Sequence, residues 1–248
     1  MSATESTPTT PTTPTPAAGV AGATDRGGAN ADRVARVTGL LYLGLGLTGM
    51  LGFLVVRPVL VGDDPAGTLA ALQDHELLAR MGIGLELGAV VTQALAALWF
   101  FRLFRPVDAF AAAAIAAFGL VNAVAVMVSA AAQATALGVA LDVAPDAAPG
   151  SALTAHALTS LSENLWGVGS VFFGLWLVPM GVCVVRSATM PRLLGRVLVV
   201  GGAGYVLSAF ATYLLPEVPA LAMVLVVPAT VGEFWMIGYL LVRGAGRR

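Results

Sequence analysis

Long apolar runs, separated by short polar or charged breaks, make up most of this sequence from residue 33 onwards. A helix needs roughly 20 mainly apolar residues to cross the hydrocarbon core of a bilayer, and six runs meet that length. The pattern therefore predicts an all-α fold, a polytopic integral membrane bundle of six transmembrane helices. The predicted spans are 37–56, 81–101, 110–139, 160–185, 193–215 and 221–242.

The breaks predict where the chain leaves the membrane. Arg57-Pro58 is expected to end the first helix, because proline and charge both interrupt an apolar helix, and residues 68–78 could form a short interfacial helix. The third apolar run continues to Leu141, so that helix is either tilted or projects beyond the bilayer. The acidic, proline-broken segment 142–150 is typical of an outer loop.

The two ends of the chain differ from the runs between them. Residues 1–32 hold mainly Thr, Pro, Ala and Gly, which offer too little apolar surface to offset the entropy of ordering. They predict a disordered cytoplasmic tail, and no apolar stretch in it is typical of a cleavable signal peptide. Residues 244–248 are predicted to be a basic cytoplasmic end.

The arginines predict the orientation of the bundle. All 13 basic residues are arginine, a bias that favours a bacterial protein from a GC-rich genome. Of the predicted loops and ends, those on the N-terminal side of the membrane carry all arginines except Arg57 and Arg80. Positively charged loops stay in the cytoplasm, so both termini are expected to be cytoplasmic and the protein to lie in the bacterial inner membrane.

Composition narrows the class of protein further. Hydrophobic residues make up 58% and charged residues 11%, with a mean hydropathy of +0.86, whereas soluble domains carry roughly a quarter charged residues. This excludes a water-soluble globular protein, and the scattered arginines argue against nucleic-acid binding. The single cysteine, Cys183, excludes an intramolecular disulfide and a multi-cysteine metal site. The lipid bilayer is the partner that the composition indicates.

Each even-numbered predicted helix contains one carboxylate, Glu86, Glu163 or Glu233. Counted at about 1.5 Å per residue from the arginine that ends each helix, Glu86 and Glu163 lie towards the outer interface and Glu233 lies close to the midplane. Intramembrane acids are expensive and often functional. We expect structural or solvated roles for Glu86 and Glu163, and the greatest functional interest at Glu233.

Two interpretations of Glu233 stay open. In one, Glu233 and Asn122 of the third helix line a polar cavity or a proton path. In the other, a protonated Glu233 forms a hydrogen bond across helices and fixes their packing. Asn122, Ser129 and Gln133 share one face of the third helix by their spacing, and we expect that face to point inward.

The fourth predicted helix carries the polar pair Glu163 and Asn164 within an apolar stretch. That helix is therefore expected to lie inside the bundle, surrounded by the others. Pro179 in this helix and Pro228 in the sixth are expected to kink their helices, since proline leaves a carbonyl four residues earlier without its partner.

The sequence matches no known catalytic or metal-binding motif. His75 and His156 with neighbouring carboxylates could in principle bind Zn²⁺, but their spacing matches no metal motif. Nucleophile, phosphate-loop and dinucleotide fingerprints are not found in a suitable context. We therefore expect no metal, no cofactor and no enzymatic activity.

Small residues recur at every fourth position on several helices, which lets helix backbones approach closely in lipid. Intramolecular packing is the preferred interpretation, although the same spacing is compatible with a homo-oligomer. The stripes are Gly44, Thr48 and Gly52; Gly84, Gly88, Thr92 and Ala96; Ser170 and Gly174; and Gly204, Ser208 and Thr212.

Four ordered strings resemble a bacterial family of multi-pass membrane proteins catalogued as domain of unknown function 4386. They are GLLYLG at 39–44, GLWLVPMG at 174–181, MPRLLG at 190–195 and VPATVGE ending at Glu233. The resemblance covers about residues 33–243 and implies a shared fold of six or seven spans. It implies no activity, ligand or catalytic residue.

Taken with the absence of a catalytic motif, these patterns favour a non-enzymatic integral membrane protein with a structural or regulatory role. The alternative is a small-solute or proton-coupled transporter that uses Glu233 near the membrane midplane.

Overall fold

The computed structural model describes residues 18–143 and 148–245, and within these ranges the chain is helical and contains no strand. A π-helical turn, Leu51–Val56, separates the first two α-helices. The α-helices are α1 (Ala18–Met50), α2 (Arg57–Leu60), α3 (Pro65–Asp74), α4 (Glu76–Phe104), α5 (Ala109–Leu141), α6 (Ala148–Arg186), α7 (Arg192–Leu214) and α8 (Pro219–Arg243).

Six helical segments of the described chain are long and apolar enough to cross a membrane, which confirms the predicted all-α fold with six apolar helices. The largest differences from the predicted spans concern the first and fourth segments. The first runs over Gly28–Leu60 and the fourth over Pro149–Arg186. Many large apolar side chains lie exposed on the outside of the bundle, as expected where lipid rather than water is the solvent.

The six segments form a closed ring in chain order. Each long helix packs mainly against the helices before and after it in the sequence, and α8 returns to α1. The fourth apolar helix, α6, occupies one place in this ring between α5 and α7, so the expectation that the other helices surround it is wrong. Short connections make consecutive helices antiparallel neighbours, and a ring built in this way leaves no central helix.

An aromatic cluster fills the centre of the ring at one level. Tyr42 of α1, Phe100 of α4 and Trp176 of α6 meet edge to face, with ring centroids 5.3–5.5 Å apart. Phe100 and Trp176 are fully buried. Such offset and edge-on contacts stabilise aromatic pairs beyond the area they bury, so this cluster fixes how α1, α4 and α6 approach one another.

The first helix begins earlier than the sequence predicts. Residues 18–32 belong to α1, although they fall in the predicted disordered tail; residues 1–17 lie outside the described part. Extending an existing helix adds one hydrogen bond per residue without a new nucleus, and this segment is rich in alanine. The far end of the predicted basic terminus, 246–248, is also outside the described residues. Just before it, the Ala245 N–H donates to Asp32 Oδ1 at 3.0 Å, which ties the end of α8 to α1.

Arg57-Pro58 does not end the first span, contrary to the sequence prediction. The helix widens into the π-helical turn, in which the Arg57 N–H donates to the carbonyl of Gly52, five residues earlier. It then continues through Pro58 to Leu60. The wider turn admits a residue that has no N–H to donate, and single π-helical turns of this kind are frequent at functional sites. It also holds Arg57 inside the bundle, where only 6% of its surface is exposed.

Aspartate side chains cap the N-terminal ends of two helices. The predicted interfacial helix is present as α3, capped by the Asp64 side chain, which accepts from the Gly67 N–H at 2.6 Å. Asp108 caps α5 by accepting from the Ala111 N–H and also pairs with Arg186 at the end of α6. The hydrogen bond from Ala111, assisted by Arg186, holds the pKa of Asp108 below its usual value.

Candidate functional site

A buried ion pair lies between the first and second spans. Arg57 Nη2 is 2.7 Å from Glu86 Oε1, and each side chain is only 6% exposed. The π-helical turn directs Arg57 inward, and Glu86 lies on the buried face of α4. Glu86 was expected to have a structural or a solvated role; the structure places it in a buried ion pair, where an opposite charge at the same depth can replace its hydration.

Three helices supply donors to the same carboxylate oxygen. Besides Arg57, Ser129 Oγ of α5 donates to Glu86 Oε1 at 3.2 Å, and Trp166 Nε1 of α6 donates to it at 3.0 Å. Ser162 accepts from Arg57 Nη2 at 3.0 Å and lies 2.6 Å from Ser129 Oγ. This arrangement links the first four spans through one carboxylate.

The ion pair nevertheless leaves two polar atoms without a partner among the described residues, Arg57 Nη1 and Glu86 Oε2. Beside them is a cavity of about 20 Å³, whose lining includes Gly82 and Gln133. A buried water needs about 10–15 Å³ and two or more polar partners. The site therefore has room for a single water molecule.

A second polar level lies two helical turns along α4, about 10.5 Å from the first. Gln93 of α4 and Asn122 of α5 are each 1% exposed. None of their four side-chain amide atoms has a hydrogen-bond partner among the described residues. Gly169 of α6 faces Asn122, and a Cβ atom added to that glycine would lie 3.2 Å from Asn122 Oδ1. Glycine at position 169 thus lets α6 approach this amide closely.

The third level contains Glu233. Tyr42 Oη donates to Glu233 Oε1 at 2.6 Å, which joins α1 to α8. The Tyr42 ring belongs to the aromatic cluster, and the indole nitrogen of Trp176 in that cluster has no partner among the described residues. Asn122, which the sequence suggested as a companion of Glu233, makes no hydrogen bond to it, since both Asn122 amide atoms lack a partner among the described residues. Tyr42 was not foreseen, because a tyrosine in an apolar run gives no polar signal.

These levels together form what we call the polar column. It is defined by Arg57, Glu86, Gln93, Asn122, Trp176, Tyr42 and Glu233. Every buried side-chain atom that lacks a partner in the described part of the chain belongs to one of these residues. Unpaired polar atoms in a membrane interior are expensive, so their concentration in this small set of residues marks the set as the candidate site.

The other predicted site residues lie away from the polar column. Asn164 is exposed, and its Oδ1 accepts from Tyr213 Oη of α7 at 3.1 Å, while its neighbour Glu163 is half-buried. Pro179 and Pro228 lie inside continuous helices, and their kinks stay a prediction.

His156 shares a hydrogen bond of 2.8 Å with Thr68 Oγ1, between α6 and α3. Within the described ranges, no group of three or more His, Cys, Asp or Glu residues is placed to hold a metal ion. The hydrogen bond of His156 links α6 to α3 in this part of the molecule.

The four strings that suggested a family resemblance meet in the structure. Tyr42 of the first string bonds Glu233 of the fourth and packs on Trp176 of the second. Gly181 of the second string lies against Gly195 of the third, where a Cβ added to Gly181 would be 2.5 Å from the Gly195 carbonyl oxygen. The strings therefore build adjoining helix contacts of one bundle.

Comparison with known proteins agrees with the resemblance. The family model described as Domain of unknown function (DUF4386) matches residues 37–244, which include every residue of the polar column. Neither the curated proteins nor the solved structures contain a match to the chain. The chain belongs to this family of multi-pass membrane proteins, Domain of unknown function (DUF4386).

Proposed function

We propose that this is a non-enzymatic membrane protein of the bacterial cytoplasmic membrane in which the polar column conducts a small polar solute or protons, with Glu233 as the titrating group. The observation that carries the proposal is the pair Gln93 and Asn122, two buried amides on neighbouring helices whose side-chain atoms have no partner in the described chain.

The energetic argument starts from those amides. An unpaired amide in an apolar environment costs several kcal/mol relative to water, and leucine in its place would remove that penalty. A site that keeps two such amides on neighbouring helices is matched to a polar occupant, either water or a small solute with donors and acceptors.

Glu233 supplies the acid–base group. Its Oε1 accepts from Tyr42, so a proton can be exchanged at a carboxylate whose position is fixed by a neighbouring helix. The Tyr42 ring, whose hydroxyl bonds this carboxylate, packs against Phe100 of α4 and Trp176 of α6. Because the three rings are closely packed next to Glu233, movement of a solute past this carboxylate needs them to separate, which makes the cluster the gate of the proposed path.

A second candidate is a structural role, favoured by a different observation. Glu86 and Glu233 both accept hydrogen bonds from other helices, as expected if the acids only fix helix packing. In that case the amides of the column have no occupant, and their replacement by leucine leaves every measurable transport property unchanged.

The two candidates are separated by the variants Gln93→Leu and Asn122→Leu in reconstituted vesicles. We expect solute-driven swelling, probed with glycerol and urea, and proton movement, probed with an entrapped pH dye, to fall to the level of empty vesicles. Thermal stability should be unchanged or higher, because an unpaired polar group is replaced by an apolar one of similar size. Asn164→Leu, an exposed site away from the column, is the matched control and should keep wild-type flux.

Glu233→Gln completes this test. Glutamine keeps the shape and can still accept from Tyr42, but it does not titrate. Proton movement should stop while swelling by neutral solutes persists. A different outcome would contradict the transport proposal: the wild-type protein shows neither flux, and Glu233→Gln loses thermal stability. That result would support the structural role.

The proposed orientation, with both termini cytoplasmic, is tested by cysteine labelling. Ala66 in α3 and Ala188 between α6 and α7 are both exposed. In a Cys183→Ala background, an impermeant maleimide added to intact cells should modify Ala66→Cys and leave Ala188→Cys unmodified until the cells are opened. The reverse pattern would show that the orientation inferred from the arginines is wrong.

A further inference from the structure

A cleft between α1 and α4 lies at the helix ends on the side of the bundle that is rich in arginine. It has a volume of about 250 Å³, several times the ~30 Å³ that a water molecule occupies in the liquid. Asn30, Arg33, Val34 and Val37 line it from α1, and Trp99 and Arg102 line it from α4. The lining residues of α1 are three, four or seven positions apart, and those of α4 are three apart. Each group therefore lies on one face of its helix.

The charge of the cleft is of one sign. Arg33 and Arg102 are exposed, and no carboxylate is among the lining residues that the structure describes. The ion pairs of the described residues involve Arg57, Arg80 and Arg186 instead. Two guanidinium groups that line one cleft, with no carboxylate among the described residues around it, favour an anion, and their forked N–H groups match a phosphate in particular.

The position of the cleft decides where that phosphate comes from. Arg33 and Arg102 lie near the ends of the first two spans, Gly28–Leu60 and Glu76–Phe104. Val37 lies about 6 Å deeper along α1 than Arg33, so the wall is apolar on the membrane side. An indole at this level, as in Trp99, is typical of the boundary between headgroups and acyl chains. A polar, positively charged mouth above an apolar wall fits a lipid better than a free ion.

We propose that this cleft is a binding site for an anionic phospholipid, with its phosphate held between Arg33 and Arg102 and its glycerol and first methylene groups against Val34, Val37 and Trp99. Basic clefts between membrane helices bind anionic headgroups by the same physics. The site is independent of the polar column and joins the two helical spans that carry Arg57 and Glu86.

Native mass spectrometry of detergent-solubilised protein titrated with phosphatidylglycerol or phosphatidylcholine tests this site. We expect phosphatidylglycerol to bind in preference, and Arg33→Gln and Arg102→Gln each to weaken it about five-fold, the effect of one arginine near an anionic surface. Arg33→Lys and Arg102→Lys should lose less, because they keep the charge. Arg196→Gln removes an exposed arginine of α7 outside the cleft and should bind like the wild type.

Three results would overturn the proposal. The first is equal binding of phosphatidylcholine, and the second is an equal loss in Arg196→Gln. The third is binding of inorganic phosphate that Arg33→Gln and Arg102→Gln abolish while phosphatidylglycerol binding persists, which would assign the cleft to a soluble anion. Circular dichroism of each variant checks that it is folded. If a glutamine variant does not fold, the corresponding lysine variant is compared with the wild type instead.

Discussion

Replacing Arg57 alone with methionine is expected to lower the free energy of unfolding by about 3–5 kcal/mol, the range for breaking a buried ion pair by removing one partner. Glu86 would keep the donors Ser129 and Trp166 but lose its only positive partner among the described residues. A carboxylate that is 5% exposed would then carry an uncompensated charge between membrane helices, or take up a proton.

A double-mutant cycle measures this effect. Arg57→Met, Glu86→Met and the double variant are unfolded in detergent by a denaturant, with tryptophan fluorescence as the signal. Each single variant should be strongly destabilised. The double variant should recover most of the loss, because an apolar pair of similar volume replaces a buried ion pair at little cost or with a gain. Recovery of this kind would show that the loss comes from the orphaned charge.

The exposed pair Arg80–Glu76 provides the control. These residues are one helical turn apart, with side chains 59% and 45% exposed, and such pairs contribute about 0.3–0.5 kcal/mol. Arg80→Met should therefore have little effect. If Arg57→Met were no more damaging than Arg80→Met, the ion pair would not be the main polar link among the first four spans.

The ion pair between Arg57 and Glu86 was not predicted from the sequence. The lengths of the apolar runs predicted six spans, because the thickness of a bilayer fixes how long an apolar helix must be. Arg57 was interpreted as the end of a helix, since a charge next to proline usually marks one. The signal that could have corrected this is the matching outer depth of Arg57 and Glu86 on consecutive antiparallel helices, where opposite charges can pair.

Contacts between residues far apart in the sequence also limit what the sequence can predict. The spacing of Asn122, Ser129 and Gln133 predicted an inward face of the third helix, and all three are buried, at 1%, 0% and 9% exposed. Periodicity contains this information because it describes one helix at a time. The bond from Tyr42 to Glu233 joins residues 191 positions apart. It depends on how α1 meets α8, and no local pattern encodes that.

The helix packing predicted from the small-residue stripes was only partly correct, for the same reason. Gly174 was expected at a helix interface, and it lies against α7. Gly204 was expected at an interface as well, and it lies against α8, where an added Cβ would collide with the Leu225 carbonyl oxygen, whereas Gly84 of the longest predicted stripe has no atom within 4 Å of an added Cβ. A stripe identifies a face that can approach another backbone, whereas the order of helices around the ring decides which backbone it is.

Substituting alanine at the glycine contacts between α6 and α7 is expected to lower the free energy of unfolding by about 1–3 kcal/mol per site, the usual effect of overpacking. Gly174 faces Gly202 and Gly181 faces Gly195, so two reciprocal contacts lie seven residues apart on both antiparallel helices. An added Cβ would be 2.5 Å from the opposite carbonyl oxygen at Gly174 and at Gly181, and 2.7 Å at Gly202 and at Gly195. Backbone atoms do not move aside as a flexible side chain can, so the helices must separate.

Two glycines of the same fold give the opposite expectation and serve as controls for this last prediction. Gly138 on α5 and Gly238 on α8 have open space where a side-chain methyl group would lie, with no atom within 4 Å. Alanine there should be neutral or stabilise the protein by about 0.5–1 kcal/mol, because it restricts the unfolded chain and favours a helix. Thermal and denaturant unfolding of Gly174→Ala, Gly181→Ala, Gly138→Ala and Gly238→Ala compares the two classes directly. Equal stability of all four would mean that α6 and α7 are not held together by close backbone contact, whereas separation of the classes would show that this contact stabilises the helix pair.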